Sequence, residues 1–192
     1  MPLKNCSQIV KIFVHYYRRI RFMDEKLLSA FNRITDCYTR WYDVEIMPEE
    51  SLPLAAKASF HETGTGYVLV RKAEMWTAEK HEYSYIYVLP DFTAADCEKL
   101  MEETLSMGEP LVDPKPGHMC TNISMIILCL SADEEARKAL KKIRLKKSFK
   151  LSMHGWMEFH ASAVIAGEER IISNPAGAPT ARFLKKILYS KK

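Results

Sequence analysis

Titratable side chains gather at three places along the chain. Glu79, His81 and Glu82, with Glu74 upstream, put carboxylates and an imidazole at the start of one predicted strand. Such a mixture can move protons or hold a divalent cation, although solvation of a sheet edge accounts for it more simply. His118-Met119-Cys120-Thr121 sets an imidazole and a thiol two residues apart. That spacing makes a nucleophile pair only where both side chains converge on one face of a strand. Nothing nearby activates the thiol, so a structural role is expected for both. Glu158 and His160 form the third pair, alternating with Trp156 and Ser162 on what reads as the wet face of a long strand. They are the best polar groups of a cleft if that face receives a ligand. The candidate catalytic set is therefore Glu79, Glu82, His118 and His160. No metal or cofactor is called for, and no high-specificity catalytic motif occurs anywhere in the chain.

Charge supplies a fourth cluster. Residues 1–136 carry 14 Lys and Arg against 21 Asp and Glu, whereas residues 137–192 carry 14 against 3. The densest basic stretch is Arg137, Lys138, Lys141, Lys142, Arg144, Lys146, Lys147 and Lys150. Such runs serve as footprints for phosphate backbones or anionic surfaces. Ser131 followed by Glu134 reads as a capping box, with Asp133, Glu134 and Glu135 at the positive end of a helix and the cations toward its negative end. Dipole complementarity thus explains part of the pattern without any partner.

Elements must position these groups. Ile9, Ile12, Phe13, Tyr16 and Ile20 lie at helical spacing and predict an amphipathic helix over 4–21; Tyr16-Tyr17-Arg18-Arg19 within it reads mainly as core. A second helix is capped by Asp24, with Leu27, Phe31, Ile34, Tyr38 and Trp41 along one stripe. Residues 47–53, with two prolines, form a loop. Strands are predicted over 54–61 and 67–75, joined by a Gly-containing hairpin, and over 82–89, where Tyr83, Tyr85 and Tyr87 share a face. Thr93 and Asp96 open a helix carrying Cys97, Leu100, Met101 and Leu105 and closed by Gly108. A proline-rich loop, with Pro114 to Gly117 its mobile part, precedes the apolar run Ile123 to Leu130, which reads as the sheet centre. A helix from Ser131 to Lys147, strands over 151–165 and 170–173, and a last helix with Phe183, Leu184, Ile187 and Leu188 complete the order.

The composition, 47% apolar and 27% charged with 7 Gly and 9 Pro, belongs to a globular chain and excludes dominant disorder. The longest apolar run is far short of the ~20 residues a transmembrane helix needs. Five cysteines without a Cys-Xaa-Xaa-Cys pair read as buried thiols in a reducing cytoplasm, and no secretory signal is recognisable at the amino terminus.

The order helix, three strands, helix, strand over about residues 24–130 resembles the core of restriction-endonuclease-like nucleases. That resemblance implies an acid-Xaa-Lys on the third strand to hold a metal. Here Glu79 and Lys80 are adjacent and point to opposite faces, while Asp113-Pro114-Lys115 matches the letters in a loop. In addition, Trp76-Thr77-Ala78-Glu79-Lys80-His81-Glu82-Tyr83, His118-Met119-Cys120-Thr121 and Gly155-Trp156 resemble an uncharacterised bacterial domain family seen mainly in Gram-positive anaerobes, over about residues 50–175. The likeness implies a bacterial cytoplasmic origin and no activity.

The sequence therefore predicts a single α+β domain, residues 1–192, with a mixed sheet of five to six strands, helices packed against it and two helices at its amino end. The expected function is binding of an anionic or nucleic-acid partner through Arg137, Lys141, Lys142, Arg144, Lys146, Lys147 and Lys150. A metal-dependent hydrolase with a Glu/His pocket and a homodimeric structural protein are the alternatives.

Overall fold

The computed structural model describes residues 24–65 and 77–190. The helix expected over 4–21 and the strand expected over 67–75, with Glu74 and Trp76, lie outside the described residues, so one of the two expected amino-terminal helices is described. In chain order the elements are α1 (Glu25–Tyr38), β1 (Asp43–Ile46), β2 (Leu54–Thr65), β3 (Thr77–Val88), β4 (Asp91–Phe92), α2 (Ala94–Gly108), β5 (His118–Cys129), β6 (Ser131–Ala132), α3 (Glu134–Lys142), β7 (Lys146–Ser148), β8 (Trp156–Ile165), β9 (Arg170–Ser173) and α4 (Ala178–Tyr189). The fold is α+β, as the sequence predicts. Among the described residues no helix is long and apolar enough to cross a membrane.

Among the described residues the main sheet is mixed and has seven strands, more than the five to six expected, ordered β1-β2-β3-β5-β8-β7, with β9 also paired to β8. β3, β5 and β8 run parallel at its centre; β2, β7 and β9 pair with them antiparallel, and β1 pairs antiparallel with β2 at the edge. The unbroken apolar run of β5 does occupy the middle, where both faces are covered. On one face Tyr85, Tyr87, Ile123, Met125, Ile127, Met157 and Phe159 pack on Cys97 and Leu100 of α2 and on Ala136 and Leu140 of α3. On the other, Ile86, Val88, Ile126, Leu128 and Val164 pack on Leu27, Phe31 and Ile34 of α1 and on Leu184 and Leu188 of α4. A parallel pair, β4 with β6, caps the carboxyl ends of the central strands.

Local chemistry sets the helix ends. Asp24 caps α1 by accepting from the Lys26 amide, and Thr93 with Asp96 forms the reciprocal capping box of α2. α3 departs from expectation at both ends. The hydroxyl of Ser131 donates to Asp91 Oδ1 at 2.6 Å instead of capping, and Asp133 accepts from the Ala136 amide in its place. The helix stops at Lys142 because the following carbonyls are captured by the sheet: Asn174 Nδ2 donates to the Ile143 carbonyl at 3.3 Å and the Phe159 amide to that of Leu145 at 2.9 Å. Lys146, Lys147 and Ser148 are consequently an edge strand, not the end of a helix. The strand expected from 151 starts at Trp156, since Lys150, Leu151, Ser152 and Gly155 all take positive φ and fold the chain into a turn.

Candidate functional site

Helix length decides which part of the sheet is left open. A twelve-residue strand such as β3 spans about 40 Å, whereas the fourteen-residue α1 spans about 21 Å. Among the described residues, α1 and α4 therefore cover only the carboxyl halves of the central strands on their face. The amino halves there carry Lys80, Glu82, Asn122, Trp156 and Glu158, none of them fully buried.

Glu82 is the centre of this surface. Tyr42 Oη donates to its Oε2 at 3.0 Å, and the hydroxyls of Ser84 and Ser124 donate to Oε1, each at 3.2 Å. Burial, then the charge of Glu82, pushes both Tyr38 and Tyr42 well above the ordinary phenol range, so Tyr42 stays a donor at neutral pH. Tyr38, Tyr42 and Phe60 form a run of rings with centroid separations of 4.6 and 5.3 Å, and Phe183 joins Tyr38 at 5.7 Å. Trp41, expected on the core stripe of α1, is 73% exposed because the helix ends at Tyr38 and turns the chain outward. These rings, with Pro179, Thr180 and Glu82, wall a cavity of about 350 Å³.

His160 lies deeper on the same face, and its surroundings differ from the wet surface expected of it. α4 and the chain leading into it bury His160 and Ser162, whose hydroxyl donates to the Gly177 carbonyl at 3.4 Å. Burial lowers the proton affinity of His160 more than Glu82 and Glu158 raise it. Its Nε2 stands 4.0 Å from Glu158 Oε2. Glu82 and His160 are thus brought together, but the oxygens of Glu82 are held by hydroxyls.

Glu79 and His118 are brought together on the opposite face, as partners in the β3–β5 register. Glu79 pairs with Lys115 at 3.0 Å and with His81 Nε2 at 3.7 Å; the neighbouring lysine holds its carboxyl below the usual range. His81 Nδ1 is 2.9 Å from His61 Nδ1, and the His81 ring stacks on that of His118 at 6.1 Å. Both nitrogens of His118 are taken, by the His154 carbonyl at 2.8 Å and Thr121 Oγ1 at 2.9 Å. Cys120 does not join it. A register shift next to Glu79 separates the two residues, and the charges that Cys120 feels are those of Lys80, Glu158, Glu82 and Glu62. Burial raises the Cys120 thiol, so it is not an activated nucleophile. The proline loop is anchored rather than loose: Lys115 reaches Glu79 and Asp113, and the Gly117 carbonyl accepts from the Glu79 amide at 2.9 Å. Among the described residues no three His, Cys, Asp or Glu side chains are arranged to hold a metal ion.

The basic stretch runs along the outer edge of the sheet, from the end of α3 through β7 to the turn at Lys150. Arg137 is set apart. Its guanidinium forks onto both oxygens of Glu168, at 2.8 Å for Nη1, and donates to the Ala132 carbonyl. Arg144 caps the end of α3 through the carbonyls of Lys141 and Ile143. Lys146 lies over the Trp156 ring, 4.9 Å from its centroid. Among the described residues, Lys141, Lys142, Arg144, Lys146, Lys147 and Lys150 are exposed and none pairs with a carboxylate. The same turn extends Leu151 at 97% and Met153 at 75% exposure. Sequence reasoning missed these two, and also Tyr42, Ser84 and Ser124. Their convergence depends on strand register, which no local pattern specifies.

A family model described as Domain of unknown function (DUF8052) matches residues 26–186, a wider span than the resemblance over about 50–175. No curated protein matches the chain. No solved structure matches it either.

Proposed function

We infer that this chain, which belongs to the family described as Domain of unknown function (DUF8052), is a binding domain that contacts a phosphate-bearing polyanion through the segment from Lys141 to Lys150. The observation that carries this reading is the row of exposed Lys141, Lys142, Arg144, Lys146, Lys147 and Lys150, without carboxylate partners among the described residues. Lysine on an edge strand also deters edge-to-edge pairing of sheets. That explanation reaches Lys146 and Lys147 only. It does not account for Lys141, Lys142 and Lys150, nor for the apolar Leu151 and Met153 beside them. Arg137 has no part in the contact, being committed to Glu168.

The experiment is a salt titration of binding to a duplex DNA of random sequence. With four phosphates contacted, the slope of log affinity against log salt is about −3.6, a loss of about two powers of ten between roughly 50 and 200 mM. Replacing Lys141, Lys142, Lys146 and Lys147 together by Gln is expected to abolish most of that slope. A flat salt response, or a quadruple variant that binds like the parent, refutes the reading.

Leu151 and Met153 favour a second reading, an anionic bilayer, in which they enter the interface while the lysines meet the headgroups. In that case Leu151→Ser with Met153→Ser reduces sedimentation with phosphatidylserine vesicles and leaves duplex binding unchanged. A cytoplasmic bacterial setting belongs to the same proposal. It is supported by the free thiols of Cys37, Cys97, Cys120 and Cys129 and by the family resemblance.

A further inference from the structure

Glu82 is a carboxylate with hydroxyl donors and no cation. Among the described residues no Lys, Arg or His lies within 4.0 Å of it, although three hydroxyls converge on its two oxygens. Ser84 and Ser124 are buried in the sheet, so this arrangement is fixed by strand register rather than by mobile surface groups. The carboxylate also lines the cavity of about 350 Å³, whose other walls are the rings of Tyr38, Trp41, Tyr42, Phe60 and Phe183 with Pro179 and Thr180.

Each wall narrows the choice of occupant. A carboxylate repels anions, and a neutral ligand leaves its charge without a partner. Ring faces carry negative quadrupole charge and attract cations, above all alkylammonium groups that shed water easily. Trp41 is held 73% exposed and Phe183 37% exposed at the rim, where they can close over such a group. The volume falls within the ~300–1,000 Å³ range of small-molecule sites. Burial disfavours the charged form of His160, and its ring nitrogens lie beyond 4.0 Å from the Glu82 oxygens.

We propose that this cavity binds a small organic ammonium ion, with Glu82 as counter-ion and Tyr42, Phe60, Trp41 and Phe183 as an aromatic cage. The site is independent of the basic edge, since its ligand has the opposite charge.

The test is a titration of the full chain with tetramethylammonium and n-butylammonium, followed by the indole N–H resonance of Trp41. Sodium chloride is the ionic-strength control and n-butanol the uncharged control. Saturable shifts with at least one ammonium ion, absent with sodium chloride and at least about tenfold weaker with n-butanol, are expected. Glu82→Gln should weaken binding at least about tenfold, and Phe183→Ala several-fold. Phe183 is 37% exposed at the rim and, among the described rings, touches the core through Tyr38 alone; a circular dichroism spectrum matching the parent's qualifies the Phe183→Ala variant and keeps the test valid even if Glu82→Gln disturbs folding. Shifts that match those of sodium chloride, equal binding of n-butanol, or unchanged affinity in the Phe183→Ala variant would each overturn the proposal.

Discussion

Removing the amide of Asn174 should destabilise the protein more than any other single polar truncation in the described core. The side chain is 1% exposed and makes four hydrogen bonds. Oδ1 accepts from the amides of Ala161 at 3.0 Å and Gly177 at 2.7 Å; Nδ2 donates to the carbonyls of Phe159 at 2.9 Å and Ile143 at 3.3 Å. It thereby joins β8 to the start of α4 and to the chain that enters β7. In Asn174→Ala two buried amides lose their acceptors at about 1–3 kcal/mol each, and the carbonyls lose a smaller amount, for a total of about 3–5 kcal/mol. That is a large share of the ~5–15 kcal/mol that holds a domain together. At about 2–4 °C per kcal/mol for a chain of this length, the melting temperature falls by about 6–20 °C. Calorimetry and urea unfolding followed by circular dichroism measure both quantities. Asn174→Asp sharpens the test. It retains the acceptor but turns a carboxylate oxygen toward two carbonyls, so the carboxyl gains by taking up a proton in the folded state. The folded pKa then lies above the unfolded one, and stability is recovered as pH falls through the folded value. A loss under about 1 kcal/mol in Asn174→Ala, or an Asn174→Asp variant that does not recover in acid relative to the parent, refutes this account.

Other perturbations have equally definite signs. Gly155 takes φ +73°, and a Cβ there would stand 2.4 Å from the Met119 carbonyl oxygen and 2.6 Å from that of His118. Gly155→Ala should cost at least about 2 kcal/mol in urea unfolding; a neutral result contradicts the packing of the turn on β5. Burial is the largest influence lowering His160 and His81 below the ordinary imidazole value. As pH falls the unfolded chain is protonated first, so stability should decline below about pH 6.5 and continue to decline through the folded values. Glu79, lowered by Lys115, and Glu168, lowered by Arg137, extend the loss in the same direction at more acid pH. Urea midpoints that stay constant from about pH 7 to pH 5 would contradict this.

Features governed by neighbours in sequence were legible before the structure. The box formed by Thr93 and Asp96 needs only a three-residue spacing, and the apolar run of β5 announces its own burial. Features governed by register were not. β1 and β7 are short edge strands, and β7 is made of Lys146, Lys147 and Ser148; ladder bonds to β8, not any propensity of these residues, hold it in place. Ser131 satisfies the spacing of a cap, yet Asp91 of a strand forty residues earlier takes its hydroxyl. His118 and Cys120 have the spacing of neighbours on one face, but a register shift beside β3 parts them. Glu82 and His160 are candidates by residue type and by their places on predicted strands. That Ser84, Ser124 and Tyr42 surround Glu82 follows from pairing β3 with β5 and from the exit path of α1.

Sheets with parallel strands usually receive ligands beyond the carboxyl ends of those strands. Here that end is partly covered. β4 and β6 pair across it, Asp91 is bonded to Ser131, and Arg137 with Glu168 seals the adjoining turn. Among the described residues, the mismatch between a strand of about 40 Å and helices of about 20 Å also leaves the amino halves of β3, β5 and β8 available for functional groups to converge. The carboxylate of Glu82, the stacked imidazoles of His81 and His118, and Trp156 beneath Lys146 all lie in those halves. One geometric cause therefore places an anionic, ring-walled cavity and a cationic edge on the same half of the sheet, opposite in charge and with β5 and β8 between them.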